Sequence, residues 1–400
     1  MGKYTPSVTT PTFTVAGATG LCGSEWGQTD SANDMTLNAD GLYEKVFTDI
    51  AAGTYEFKVL ANHAWTYSWG LNGGSSNASV TVAEAGSTVT ILFNESTKAI
   101  TTKVEVPVVI PDLEFYSASL EVSEGISINF KVEAALADYY DLTSASATIT
   151  YKDHTEDSFT VAPKLEGEHY VFQLHNIRPD WIGDTVTATV TATLDGEKVT
   201  SDPIEYSVAT YCYNKLDDSA SSDQLKTLAA DILNYGAAAQ QYTDYNTSAL
   251  VNADLSQYGV TGTVARTLND HTAIGTDVAQ TLATWKSASL NLREIVRMRI
   301  RFTTTEDITG WTVNVTGAVT TTLTPTASGS NIYTVFVDSL KVSQMRDTVI
   351  FQIFDANGNP VSNKLTYSIE SYAAVASGDK LVNVMDYMMR YGDAVTAYAN

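Results

Sequence analysis

Four short segments of this chain return, in the same order, further along it. Ser117-Ala118-Ser119-Leu120 reappears as Ser287-Ala288-Ser289-Leu290, each ahead of an alternating run, ISINFKV and then IVRMRIRF. Asp184-Thr185-Val186 reappears as Asp347-Thr348-Val349, and IEYSVATYCYN (204 to 214) is matched by LTYSIESYAAV (365 to 375). Leu233-Asn234-Tyr235-Gly236 is matched by Met389-Arg390-Tyr391-Gly392. The separation between partners shrinks gradually from one match to the next, as it does when loops shorten between equivalent elements. This is an internal duplication, and it requires each segment and its partner to adopt the same structure. Each copy reads as strands first and a helix last. In the first, Ser222-Asp223 offers a helix cap, and Leu225, Leu228, Ala229, Ile232 and Leu233 share one helical face. In the second, Ser377 to Asp379 opens a helix carrying Leu381, Val384, Met385, Met388 and Val395. Asp244 to Leu282 between the copies is irregular, and Thr276 to Trp285 fits a strand or a short helix.

Ahead of the duplication, short strands alternate with turn signals, the pattern of a sandwich. Strands are predicted at Phe13–Ala16, Leu42–Thr48, Thr54–Leu60, Ser79–Val82, Thr88–Phe93 and Ala99–Val104. Asp40-Gly41, Ala52-Gly53 and Ala85-Gly86 supply the turns. The fold class expected is therefore mainly β with helices. It comprises three β-sandwich-type domains, the second and third being the duplication and each ending in helices. The divisions are a leading segment 1–12, a first sandwich 13–105, a Pro-rich linker 106–112 (VPVVIPD), and repeats at 113–262 and 263–400.

The formal charge of −23, from only 23 Lys and Arg against 46 Asp and Glu, opposes nucleic-acid binding, which depends on basic clusters. It opposes anionic membranes equally, and no apolar run is long enough to span a bilayer. A neutral partner is the simplest match. Cys22 and Cys212 fall in different expected domains, so a disulfide between them is not expected. The polar opening from Met1-Gly2-Lys3 to Thr12 reads as the start of a chain whose export signal has been removed, giving a secreted or cell-surface protein and a monomer. Enzyme signatures are missing: there is no HExxH, GxSxG, Walker loop or GxGxxG. The five histidines are scattered without an acidic ligand set at metal spacing. Asp34–Gly41 lacks the closing glutamate of a calcium loop and reads as a hairpin turn, as does Asp355–Gly358. No catalytic residue, metal or cofactor is expected.

One stretch carries a ligand signal. In Gly53–Gly74 an alternating strand with Tyr55, Phe57 and Val59 on one face enters a loop with Trp65, Tyr67 and Trp69 at every second position. Asn62, Asn72 and Lys58 lie close by. Large rings in a polar, Gly-rich loop have little apolar company for a core role, so they read as a flat platform for a sugar chain. Rings cover the C–H face of a glucan while amides and lysine hydrogen-bond its hydroxyls. Single-site affinity on such a shallow surface is about micromolar to millimolar, and repetition on one chain adds avidity. Trp26 reads as a core or rim residue. Trp181, Trp285 and Trp311 are carried as further candidate contacts, each equally readable as packing. The tyrosines at the helical ends (Tyr235, Tyr242, Tyr245, Tyr391, Tyr398) read as helix-on-sheet packing.

Phe13 to Thr102 resembles the starch-binding module appended to pullulanases. The resemblance rests on VAG at Val15–Gly17, Trp26, DGLY at Asp40–Tyr43, AAGTYEFKV at Ala51–Val59, Trp65, Trp69-Gly70 and VTILFNEST at Val89–Thr97. It implies a β-sandwich that binds α-1,4-glucan or maltooligosaccharides, with Lys58, Trp65 and Trp69 near the sugar. The duplicated half is similar to non-catalytic repeats of proteins secreted by gut anaerobes. Together the parts resemble a starch adherence protein of the amylosome, a cell-surface complex for resistant starch, which implies other amylosome proteins as partners. The rival expectation is an adhesin whose duplicated half binds a protein partner while only the first module touches glucan.

Overall fold

The computed structural model describes residues 11–292 and 296–399. Most of the leading segment 1–12, and Ile295 at the head of the second alternating run, lie outside the described residues. The chain divides into two compact units, Met1–Ile110 and Pro111–Asn400, with the break inside the expected Pro-rich linker. Three sandwiches are thus distributed over two units.

The first unit is a pair of antiparallel sheets. Its strands are β1 (Phe13–Gly17), β2 (Thr36–Leu37), β3 (Tyr43–Ile50), β4 (Gly53–Ala61), β5 (Ala64–Trp69), β6 (Ala78–Val82), β7 (Ser87–Phe93) and β8 (Ile100–Glu105), with a one-turn helix α1 (Thr19–Cys22) after β1. One sheet has the order β1-β4-β5, with β6 also pairing β4, and the other is β2-β3-β7-β8. Period-two burial decides which face is inside. Phe57 and Val59 of β4, Val80 and Val82 of β6, and Val89, Ile91 and Phe93 of β7 point into the core. Phe13 fills the middle, 4.5 Å from Tyr43 and 4.9 Å from Phe93 between ring centroids. All six predicted strands are present. The loop expected after β4 is instead a further strand, β5, paired antiparallel to β4 through a bulge between Leu60 and Ala61. A bulge breaks alternation, so every-second-residue spacing in β5 does not put side chains on one face.

The second unit contains two sandwiches of matching plan. The first has β9 (Ser117–Glu121), β10 (Ser127–Glu133), β11 (Ser146–Tyr151), β12 (Ser158–Val161), β13 (Lys164–Glu166), β14 (His169–Leu174), β15 (Val186–Leu194), β16 (Glu197–Thr200) and β17 (Ile204–Tyr206), then α2 (Val208–Asp217) and α3 (Asp223–Thr243). The second has β18 (Ala273–Ile274), β19 (Thr284–Asn291), β20 (Arg297–Thr303), β21 (Thr312–Gly317), β22 (Thr321–Leu323), β23 (Thr326–Gly329), β24 (Ile332–Val337), β25 (Val349–Phe354) and β26 (Leu365–Tyr367), then α4 (Ile369–Ala374) and α5 (Asp379–Ala399). The sheet β13-β14-β10-β9 has its counterpart in β23-β24-β20-β19. The opposing sheets pair β11 with β15 and β21 with β25 at equivalent places.

The recurring segments occupy equivalent positions, and small side chains explain why those letters recur. Each IEYS/LTYS match is a strand that turns into a helix at a buried serine. Ser207 accepts the Thr210 N–H and Ser368 accepts the Ser371 N–H, capping α2 and α4. Buried Ser201 and Ser362 accept the N–H of Val190 and Ile353, each at 3.0 Å. Gly236 and Gly392 mark close contacts of the two long helices. A Cβ on Gly236 would lie 2.2 Å from Ile182 Cδ1, and one on Gly392 3.1 Å from Met345 Sδ. The Tyr beside each glycine corrects the expectation of helix-on-sheet packing: Tyr235 and Tyr391 stack on each other, 5.8 Å apart at 16°, where α3 and α5 cross. One continuous core runs through both sandwiches and these helices. Cys22 and Cys212 are free and buried. No helix among the described residues is long and apolar enough to cross a membrane.

Candidate functional site

In the first unit the core takes Phe57, Val59 and Ala61 of β4, so Lys58 and Leu60 face the other way. In the β1/β4 register Thr14 sits opposite Leu60, and Ala16 opposite Lys58. Thr14, Ala16 and Leu60 are fully buried although they lie outside the sandwich core, so this outer face is covered. Part of the cover comes from the segment between β1 and β2. Its Trp26 N–H donates to Gly17 O at 2.9 Å, next to Ala16. From β5, Trp65 reaches the same place: the Trp26 and Trp65 rings lie 6.1 Å apart at 46°.

Trp26 has φ of 49°, a left-handed conformation that is a true outlier for a bulky residue. Such a residue costs about 1–3 kcal/mol and persists only where its surroundings over-determine it. Here they do. The Thr19 N–H and hydroxyl both donate to Glu25 Oε2, at 3.2 and 2.6 Å, and these bonds hold the Glu25 carboxyl below its ordinary range. Ser24 and Asn33 both donate to Asp30 Oδ2, at 2.8 and 3.3 Å. The loop is pinned by its own carboxylates, and the ring it carries is fixed before any ligand arrives. Farther along the same face, the Thr14 hydroxyl donates to Asp34 Oδ1, which also lies 2.7 Å from His63 Nε2. Lys58 is half-buried and donates to Ser75 O at 2.5 Å.

The predicted platform therefore divides. Trp65 is 41 % exposed and Tyr67 59 %, with their rings available to a partner. Trp69 goes the other way. It lies opposite core-facing Val59, stacks on Phe93 at 5.4 Å, and has Lys98 Nζ 4.7 Å above its ring. Asn72 is exposed on a tight turn with φ of 54°. The residue underrated by sequence is Trp26. Its pairing with Trp65 depends on a left-handed backbone and a loop closure that no local pattern announces.

The other tryptophans are packed into the second unit. Trp311 is 6 % exposed and belongs to the core. Trp285 donates its Nε1–H to Asn363 O at 2.7 Å and meets Phe302 edge-on. Trp181 stacks with His154 at 4.3 Å and 7°, and has the Arg178 guanidinium 4.3 Å from its ring. None of the three presents a flat open face. His154, Glu156 and Asp157 bring one ligand atom each within 4.8 Å of one another, a grouping that sequence spacing did not suggest. The His154 ring is already engaged, its Nε2 2.8 Å from the Tyr245 hydroxyl. A cleft of about 800 Å³ lies between the two sandwiches, lined by Tyr242, Tyr372, Arg178, Arg299, Asn291 and Asp244 among others.

Residues 14–100 match the family described as the pullulanase X25 domain. The first unit is a pullulanase-type module. That match supports a carbohydrate-binding role in general for this module, and it spans β1 through the start of β8. No curated protein matches the chain.

Proposed function

We propose that the pullulanase-type module binds α-1,4-glucan without catalysing its hydrolysis, in an exported protein. The observation that carries this reading is the Trp26–Trp65 pair: two half-open indoles at 46°, one held in a strained conformation by a pinned loop. A coiled α-glucan presents successive sugar C–H faces at an angle to one another, so a tilted pair fits it better than a flat platform does. Tyr67 extends the aromatic surface. Lys58, Asn72 and the Asp34–His63 pair supply donors and acceptors for hydroxyls around it. Trp69 supports the site from the core side rather than touching sugar. Binding is shallow, with affinity of about micromolar to millimolar per site, and starch offers the module many equivalent sites. The resemblance to amylosome proteins supports partners in the same cell-surface complex as part of this reading.

Calorimetric titration of the whole chain with maltoheptaose tests it. Binding with no release of reducing sugar on prolonged incubation is expected. Release of reducing ends, or absence of heat with both maltoheptaose and amylopectin, overturns it.

A further inference from the structure

The strand β20 presents three arginines to one side. Met298, Ile300 and Phe302 are fully buried in the core, so Arg297, Arg299 and Arg301 alternate onto the outer face of the sheet. Successive guanidinium groups are then about 7 Å apart along the strand. All three are half-buried and their orientation is fixed. Arg301 Nε donates to Ser287 Oγ at 3.0 Å, Arg299 Nε donates to Ser289 Oγ at 3.3 Å, and the Arg297 guanidinium lies 4.2 Å from the Phe336 ring centroid. Binding through Nε leaves the terminal nitrogens of Arg299 and Arg301 directed away from their serine partners.

What sets the row apart is that none of the three forms an ion pair with a described residue, although Asp244 lines the same cleft as Arg299. The chain carries 46 carboxylate residues against 23 basic ones. The other described arginines, Arg178, Arg266, Arg346 and Arg390, each lie within ion-pair distance of an aspartate or glutamate. Among the described residues, Arg297, Arg299 and Arg301 have no such partner. The fold does not demand the row either. In the first sandwich the positions that match it, by way of Ser117 and Ser287, are Ser127, Asn129 and Lys131 of β10.

We propose that this face of β20 docks an extended acidic segment of a partner protein. An arginine fork takes a carboxylate through two parallel hydrogen bonds, and a pre-oriented fork loses less freedom in doing so. A peptide in extended conformation places alternate side chains about 7 Å apart, the same repeat as the arginines. Acidic residues at alternate positions therefore meet successive forks in register. Neutral glucan carries hydroxyls but no anionic group to pair with these forks, and the proposal does not rest on the glucan reading of the first unit.

The test is fluorescence anisotropy of the full chain with a labelled peptide alternating glutamate and serine. Binding that weakens as salt rises is expected, because the contacts are solvent-facing ion pairs. The double variant Arg299→Gln/Arg301→Gln weakens it about tenfold or more, and Arg297→Gln weakens it by less. Lys131→Gln on the first sandwich leaves it unchanged, and thermal melting stays at the wild-type value for all of these variants. Equal binding by the double variant, no binding of the peptide at low salt, or tighter binding of polygalacturonate than of the peptide would overturn the proposal.

Discussion

At the scale of single residues, the first unit separates rings left exposed from rings that hold the fold. Trp65→Ala is expected to weaken maltoheptaose binding about 10- to 100-fold, the range for an aromatic anchor, with little change in stability. Trp69→Ala is expected to destabilise the unit by about 3 kcal/mol through lost contact with Phe13 and Phe93, as read by chemical denaturation. Trp26→Gly removes an indole but relieves a positive φ. It should abolish most binding while leaving the melting temperature no lower, and a fall in melting temperature with binding intact would reverse the assignment. The exposure of Trp65 and Tyr67 was legible in sequence because polar surroundings make large rings conspicuous. The pairing of Trp26 with Trp65 was not, since it depends on a backbone conformation. Trp69 was misread because a bulge in β5 breaks the alternation on which the expectation relied.

Buried aspartates add a pH effect at the same scale. Asp231 is fully buried on α3, where burial raises its pKa even though it accepts bonds from the Thr263 N–H and hydroxyl. A carboxyl with a raised folded-state pKa binds its proton more tightly when folded. Its contribution is present below the unfolded-state pKa and is lost as pH rises through the folded-state value. Asp231→Asn removes that loss. Relative to wild type, the variant's melting temperature should therefore gain as pH rises from about 4, and a difference that stays flat with pH would contradict it.

Among elements, the helices tie the second unit together. Gly236→Ala places a methyl group 2.2 Å from Ile182 Cδ1, whereas Gly392→Ala meets Met345 at 3.1 Å. The first is expected to cost about 1–3 kcal/mol in denaturant unfolding and the second less, since a thioether yields more readily. Six strands of the first unit and the two long helices were readable from alternation and from the Ser222 cap, which accepts the Leu225 N–H. The short helices α2 and α4 were not, because each starts within a turn of a strand and is specified by one capping serine. The Tyr-Gly pair was visible as a repeat. Its meaning, two helices meeting at stacked tyrosines, needed the packing of one copy against the other.

Over the whole molecule, a pullulanase-type module precedes a two-sandwich unit of matching halves. Composition opposed nucleic acid as a partner without identifying what the second unit does. Net charge is a sum, and it concealed a row of arginines on one strand. The central claim is that the first unit binds α-glucan through Trp26 and Trp65. Electrophoresis of the full chain in native gels with and without amylopectin tests it most directly, comparing wild type with the Trp26→Ala/Trp65→Ala variant. The account predicts that amylopectin retards the wild type, that the variant runs as in a starch-free gel, and that the two migrate alike without starch. Equal retardation of both proteins, or no retardation of the wild type, would contradict it.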